Sequence, residues 1–120
     1  MLTPLEVAKL AVKALDSKKA QDIKLLETKN ITVIADYFII CTASSSTQIK
    51  TLTDEVDKVL SENGEPSIRT EGYRDGGWVL VDFGCVVVHL FTDEMRKFYN
   101  LEHLWADAPV IDISGLITEG

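Results

Sequence analysis

Three adjacent serines are the residues best placed for chemistry at a helix N-terminus. Ser44, Ser45 and Ser46 follow an apolar run and precede a helical pattern. A turn of this kind can expose a nucleophilic hydroxyl, or bind an anion through free backbone amides. The sequence here lacks both the Gly-x-Ser-x-Gly pattern of a nucleophile elbow and the glycine-rich loop of a phosphate site. Capping of the helix by a serine is therefore the favoured interpretation.

The histidines and cysteines are not spaced as metal ligands. His89 lies inside the apolar run Val86-Val-Val-His-Leu-Phe, and His103 lies beside Trp105. Neither histidine combines with Cys41 or Cys85 in a zinc-binding pattern. We expect His89 to be a core or partly exposed residue, and the two cysteines to be buried thiols that pack as small hydrophobic groups.

Carboxylates at strand ends raise the possibility of a magnesium site for phosphoryl or nucleotidyl transfer. Asp36, Asp82 and Asp93 lie at such ends, but sites of this kind usually have two acids alternating on one strand, and Asp82 has no such companion. Solvation of turns and strand ends explains each residue better. We therefore predict that the protein is not an enzyme and has no catalytic residue, metal or cofactor.

The charge balance favours a basic protein partner over nucleic acid. The 120 residues include 12 Lys and Arg against 19 Asp and Glu, a net charge of -7. Proteins that grip a phosphate backbone need clustered cations, so no dedicated nucleic-acid site is expected. No stretch approaches the ~18 apolar residues of a membrane span, and the N-terminus lacks the basic region of a signal peptide. These features predict a soluble, cytoplasmic protein without a membrane partner.

The helical segments are marked by capping residues and by apolar spacing. Thr3 and Glu6 form a capping box at the start of the first helix. The second helix follows the serines and ends at Asn63-Gly64, where glycine accepts the left-handed conformation. A third helical segment runs from Asp93 to Leu104 and is expected to break near Asn100.

The strands are predicted from apolar runs and turn residues. Strands are expected over residues 22–27, 36–42, 67–71, 78–83 and 85–91, with a turn at 75–77. The last two are joined at Phe83-Gly84, which implies an antiparallel hairpin. The alternation after Pro109 predicts either a weak edge strand or an arm. The element order predicts an α/β fold: one domain with a mixed five-stranded sheet between helical layers.

Large aromatic residues surround the predicted hairpin and the last helix. Trp78 follows a Gly-Gly turn, so its indole can reach the surface. Tyr99, Leu101, Leu104 and Trp105 recur near helical spacing, and for the last three core packing has about even odds. Exposed Trp and Tyr are preferred anchors of protein interfaces, so these residues favour a partner-binding function.

The combination of these stretches resembles the ribosomal silencing factor (RsfS, or Iojap) family. The resemblance runs from about Leu5 to Ala108 and is carried by Asp36-Tyr-Phe-Ile-Ile-Cys-Thr, Ser45-Ser46 with Gln48, Glu71-Gly72, Trp78-Val-Leu-Val-Asp-Phe-Gly-Cys-Val-Val-Val-His-Leu-Phe and Arg96-Lys-Phe-Tyr-Asn-Leu-Glu-His-Leu-Trp. It implies a nucleotidyltransferase-like core without catalysis. It also implies a family domain over residues 1–108 and a C-terminal tail over 109–120.

The resemblance further implies a homodimer that binds ribosomal protein fourteen of the large ribosomal subunit on the intersubunit face. Bound there, family members block association of the small and large subunits and repress translation when nutrients are scarce; a role in subunit maturation is also open. Trp78, Tyr99, Leu101 and Glu102 match the family's contact motifs. Trp78 and Tyr99 would act as apolar anchors, and Glu102 would meet a Lys or Arg.

Two other functions remain open from the sequence. One is a metal-dependent nucleotidyl transferase that uses Asp82 and the serine loop, which rests on analogy of fold alone. The other is a plain dimerisation module without a ribosomal target. Binding of magnesium and nucleotides would favour the first, and failure to sediment with large subunits would favour the second.

Overall fold

The computed structural model describes residues 2–72 and 77–117 of the chain. In chain order its elements are α1 (Pro4–Ser17), β1 (Gln21–Glu27), β2 (Tyr37–Ala43), α2 (Ser46–Glu62), β3 (Arg69–Glu71), β4 (Trp78–Asp82), β5 (Val86–Thr92), α3 (Asp93–Tyr99), α4 (Leu101–Leu104) and β6 (Val110–Ile111). The predicted turn at 75–77 falls mainly outside the described residues. Within the two described ranges, no helix is long and apolar enough to span a bilayer.

The predicted mixed α/β domain is confirmed, but the sheet formed by the described residues has six strands instead of the five expected, in the order β3-β4-β5-β2-β1-β6. The central β2 and β5 are parallel, and every other neighbouring pair is antiparallel. The sixth strand is the Val110–Ile111 alternation, which pairs with Leu25 and Leu26 at the edge of β1. Ile113 lies in the core beyond it. The division into a domain and a tail at residue 108 stays a prediction.

The first two helices cover one face of the sheet. The capping box at α1 is confirmed: the Thr3 hydroxyl accepts a hydrogen bond from the Glu6 amide at 3.2 Å, and the Glu6 carboxylate accepts one from the Thr3 amide at 2.8 Å. The α2 helix ends at Glu62 with Asn63 as its C-cap, and Gly64 has the predicted left-handed backbone with φ +83°. Both helices bury apolar stripes in one core cluster with the sheet.

Alternation along β5 divides its side chains between the two faces. Val86, Val88 and Leu90 join the core beneath α1 and α2. Val87 and Phe91 join a second cluster on the opposite face, against which residues of α3 and α4 pack. The period of two in a strand therefore places Phe91, together with Val87, on the face covered by the short helices.

Candidate partner-binding surface

Trp78 and Tyr99 come together at the end of the hairpin. Trp78 is the first residue of β4 and lies opposite Phe91 in the antiparallel register. Its ring stacks on Phe91 with centroids 5.2 Å apart, and the Tyr99 ring lies 4.5 Å from it. Trp78 is half-buried, and Tyr99 at the end of α3 is 42% exposed. The two predicted anchors thus form one aromatic surface that reaches solvent.

A groove of about 470 Å³ opens beside these rings. Its lining is mostly apolar with one acid, and comprises Glu71, Gly72, Gly77, Trp78, Leu80, Met95 and Tyr99. Gly72 has φ +83°, and an added Cβ would overlap the Trp78 carbonyl oxygen. Only glycine therefore allows the end of β3 to approach the start of β4 this closely. The lining suits an apolar side chain with a cation beside it.

The Trp78 indole is hydrogen-bonded to the buried imidazole of His89. The Trp78 Nε1–H donates a hydrogen bond to His89 Nδ1 at 3.3 Å, and His89 is only 5% exposed. Burial lowers the pKa of His89 to about 4, because the charged imidazolium would lose its hydration. The imidazole is consequently neutral near pH 7 and can accept this hydrogen bond.

Of the two expected environments for His89, core or partly exposed, the structure shows the core, but sequence reasoning missed its contact with Trp78. In the hairpin register Trp78 faces Phe91, and His89 is two residues from Phe91 on the same face. Side chains with this diagonal offset lie within reach of one another across antiparallel strands. The register of the predicted hairpin was therefore a usable signal for the pair.

The segment after Tyr99 is partly buried and partly exposed. Leu101, another predicted site residue, packs against the second core cluster together with Trp105, whose ring meets Phe38 edge-on at 5.1 Å. By contrast, Leu104 is 68% exposed and Phe98 is 75% exposed. The Phe98 ring meets the Tyr99 ring edge-on at 5.1 Å and so extends the aromatic surface beyond the predicted residues, while Leu104 is a separate exposed apolar side chain on α4.

Glu102, the fourth predicted site residue, is already paired within the chain. Its Oε1 accepts a hydrogen bond from Arg96 Nε at 2.8 Å, and its Oε2 lies 3.0 Å from Lys24 Nζ. The hydrogen bond from Arg96 is the main cause of its lowered pKa, opposed by desolvation. The side chain nevertheless keeps 30% of its surface exposed, so its carboxylate still faces solvent in part.

The structure does not bring Asp82 and the serine loop together. Ser45 caps α2 by accepting a hydrogen bond from the Gln48 amide at 3.1 Å, which confirms the capping interpretation. Asp82 accepts one from the Gly84 amide at 2.8 Å in the hairpin turn. Asp82 and Phe38 both pair with Val87 of β5, so they lie at the same height along the strands. The serines instead follow Ala43, the last residue of β2. Five strand residues separate those levels by more than about 15 Å, so the two sets cannot share one transferase site.

Metal-binding and thiol sites were also sought among the described residues. In ranges 2–72 and 77–117, no group of three His, Cys, Asp or Glu side chains could hold a metal ion. Cys41 and Cys85 are both free thiols. Burial raises the pKa of Cys41 to about 12, which disfavours the reactive thiolate. Cys85 lies in the hairpin turn and is only half-buried, unlike the strand position expected.

Comparison with known proteins identifies relatives along almost the whole chain. The family described as "Ribosomal silencing factor during starvation" matches residues 2–119. Proteins named ribosomal silencing factor RsfS from Halalkalibacterium halodurans and Bacillus subtilis are 45% and 43% identical, covering 94% and 89% of this chain and 97% and 91% of theirs. A crystal structure of a Chromobacterium violaceum protein superimposes with a TM-score of 0.86 at 38% identity, covering 88% of each chain.

Proposed function

Because the chain belongs to the family of ribosomal silencing factors, we propose that it binds ribosomal protein fourteen of the large subunit and blocks joining of the small subunit. The observation that carries this proposal is the aromatic surface of Trp78 and Tyr99, whose rings lie 4.5 Å apart beside an open groove. A bound protein of this size needs no catalytic group to act, since it occupies space that the small subunit requires.

The four residues have different roles in the proposed contact. Trp78 and Tyr99 are the apolar anchors, since both are aromatic and reach solvent. Leu101 supports them from the second core cluster. Glu102 contributes negative charge at the end of the surface, and the exposed part of its carboxylate is available to a Lys or Arg of the partner.

The charge of the chain supports a basic protein partner. The net charge of -7 attracts a cationic ribosomal protein and opposes close contact with RNA phosphates. Glu71 on the groove lining places a carboxylate next to the apolar floor. A partner segment with a large apolar side chain flanked by Lys or Arg meets both features.

The remaining elements of the proposal come from the family resemblance. We propose that the protein acts in the cytoplasm as a homodimer, or as a monomer released from it. Its action represses translation under nutrient limitation. No observation on the described residues favours a nucleotidyl transferase.

Replacing Trp78 by Ala tests the proposed contact. Loss of a buried aromatic anchor is expected to weaken binding to large subunits by about 2 kcal/mol or more, which is roughly thirtyfold. The measurement is co-sedimentation of the variant with purified large subunits over a range of concentrations. Formation of complete ribosomes from mixed subunits is followed in the same gradients, and should fall with the wild-type protein but less with Trp78→Ala at the same concentration.

Val33→Ala is the matched control, because Val33 is a fully exposed apolar residue in the loop before β2. That loop lies at the opposite end of the sheet from Trp78. Wild-type binding by Trp78→Ala would remove this residue from the contact. No co-sedimentation of the wild-type protein would reject the ribosomal target and favour a dimerisation module.

A further inference from the structure

Arg96 joins four elements behind the aromatic surface. It lies on α3 and is only 6% exposed. Its Nη1 donates hydrogen bonds to the Asp22 carbonyl oxygen at 2.7 Å and to Thr42 Oγ1 at 2.8 Å, and its Nε donates to Glu102 at 2.8 Å. One guanidinium thereby connects α3 to β1, β2 and α4, in the forked geometry that only arginine offers.

The partners of Arg96 lie where the backbone departs from regular structure. Asp22 has a left-handed backbone with φ +47°, an uncommon conformation for a residue other than glycine. The pairing register of β1 shifts between Gln21 and Lys24, which surrounds this position. The Asp22 carboxylate also lies 3.6 Å from Arg96 Nη2. Arg96 therefore binds this bulged segment twice, through the carbonyl oxygen of Asp22 and through the charge of the Asp22 carboxylate.

Arg96 also spans the break between α3 and α4. Asn100 ends α3 with φ +48°, and its amide donates to the Arg96 carbonyl oxygen at 2.9 Å. Beyond the break, the Arg96 side chain holds Glu102, which Lys24 on β1 holds as well. The α4 helix has only four residues, and none of them is fully buried. Core packing alone is therefore a weak restraint on its position.

We propose that Arg96 is a positioning residue: with Glu102 as its partner, it sets the angle between α3 and α4. That angle decides whether Tyr99, just before the break, rests on Trp78 while Leu101, just after it, faces the core. The inference rests on the proposed function, since the surface so arranged is the one assigned to the ribosomal partner. Glu102 then has two functions: it pairs with Arg96 within the chain, and its exposed part meets a Lys or Arg of the proposed partner.

Arg96→Lys is the first test, because lysine keeps the charge but cannot make all three bonds with one planar group. NMR chemical shifts of the free, full-length protein report the Tyr99 and Trp78 ring protons, which sense each other through ring currents. We expect these shifts and those of α4, Asp22 and Thr42 to change, while the shifts of α1 and α2 on the opposite face of the sheet stay constant. Affinity for purified large subunits is expected to fall about tenfold or more. Lys97→Met, at an exposed neighbouring residue of α3, is the control.

Glu102→Gln is the second variant and covers the case in which Arg96→Lys does not fold. The amide keeps the shape of the side chain but loses the charge that pairs with Arg96 and Lys24. It should reproduce the same pattern of ring-proton changes. Changes no larger than those of Lys97→Met in a folded Arg96→Lys or Glu102→Gln protein would overturn the positioning role. If the ring protons shift as expected but wild-type protein does not bind large subunits, the proposed function fails and the positioning role stands.

Discussion

At the scale of single residues, the orientation of the Trp78 indole depends on the neutral state of His89. The imidazole accepts the indole hydrogen bond only while Nδ1 carries no proton. Aromatic neighbours surround it, with the Phe38 ring 5.2 Å and the Phe91 ring 6.3 Å away. This environment makes a charged imidazolium unfavourable, so protonation opposes both the hydrogen bond and the fold.

The buried His89 predicts a loss of stability in mild acid. Its folded pKa of about 4 lies below the ordinary value of 6.5, so the unfolded chain takes up the proton first as the pH falls. Stability is therefore full above about pH 6.5 and decreases towards about pH 4, by about 3 kcal/mol at most. Urea unfolding of the wild-type protein and of His89→Gln, measured between about pH 7 and 4.5, should show this slope in the wild type alone.

Comparing the wild-type protein with His89→Gln separates the effect of His89 titration on stability from that of the carboxylates. Glu6 and Glu102 have lowered pKa values, so the stability they contribute is lost only as the pH falls below their ordinary value of 4.5. The wild-type protein and His89→Gln both keep these groups. Equal slopes in the two proteins above that pH would show that His89 titrates in the folded state as it does in the unfolded chain.

At the scale of elements, the break at Asn100 shapes the surface. It separates the helix that ends with Tyr99 from the short helix that begins with Leu101. The Asn100 side chain makes no capping hydrogen bond to α4. Residue 100 is therefore selected for its left-handed backbone and not for a side-chain contact to α4. Asn suits it because Asn adopts this conformation more readily than most residues other than glycine.

Two substitutions at Asn100 distinguish the backbone from the side chain. Asn100→Ala is expected to lower the free energy of unfolding by about 1 kcal/mol, because Asn adopts the left-handed conformation more readily than alanine does. Asn100→Gly should be close to neutral, since glycine adopts that conformation freely. Urea unfolding at neutral pH measures both. An equal loss in the two variants would mean that the Asn side chain, and not the backbone conformation, stabilises the break.

At the scale of the whole molecule, the aromatic surface and the hairpin turn occupy opposite ends of one sheet. Trp78 pairs with Phe91 near the end of β5, whereas Asp82 pairs with Val87 near its start. The acidic chain as a whole carries a net charge of -7. In the proposed contact, its field acts on the partner before the two proteins meet, while the Trp78 and Tyr99 rings act only after contact.

Ionic strength should therefore affect the rate of association more than the rate of dissociation. Raising the salt concentration from about 0.05 to 0.5 M is expected to slow association with isolated ribosomal protein fourteen about tenfold, because exposed charges are screened. Trp78→Ala should instead speed dissociation, with little change in the salt dependence. Stopped-flow or surface-based kinetics measures both rates. A rate of association that does not depend on salt would exclude electrostatic steering.

Local patterns in the sequence determined most of the elements. The capping box of Thr3 and Glu6, the glycine stop after α2, the antiparallel hairpin and the break at Asn100 each depend on residues a few positions apart. Such short-range rules hold wherever the segment lies in the fold. The aromatic composition near Trp78 and Tyr99 predicts a partner-binding surface, and that role stays a proposal.

Only the tertiary structure decided which side chains meet. Arg96 and Asp22 are 74 residues apart in the chain, and neither helical nor strand periodicity relates them. The same holds for Lys24 and Glu102, which makes an expected surface acid part of an internal network. The packing of the two layers and the parallel register of β2 and β5 bring these groups together, and also keep Asp82 away from the serines. Contacts of this kind depend on the relative placement of whole elements, which short-range propensities do not determine.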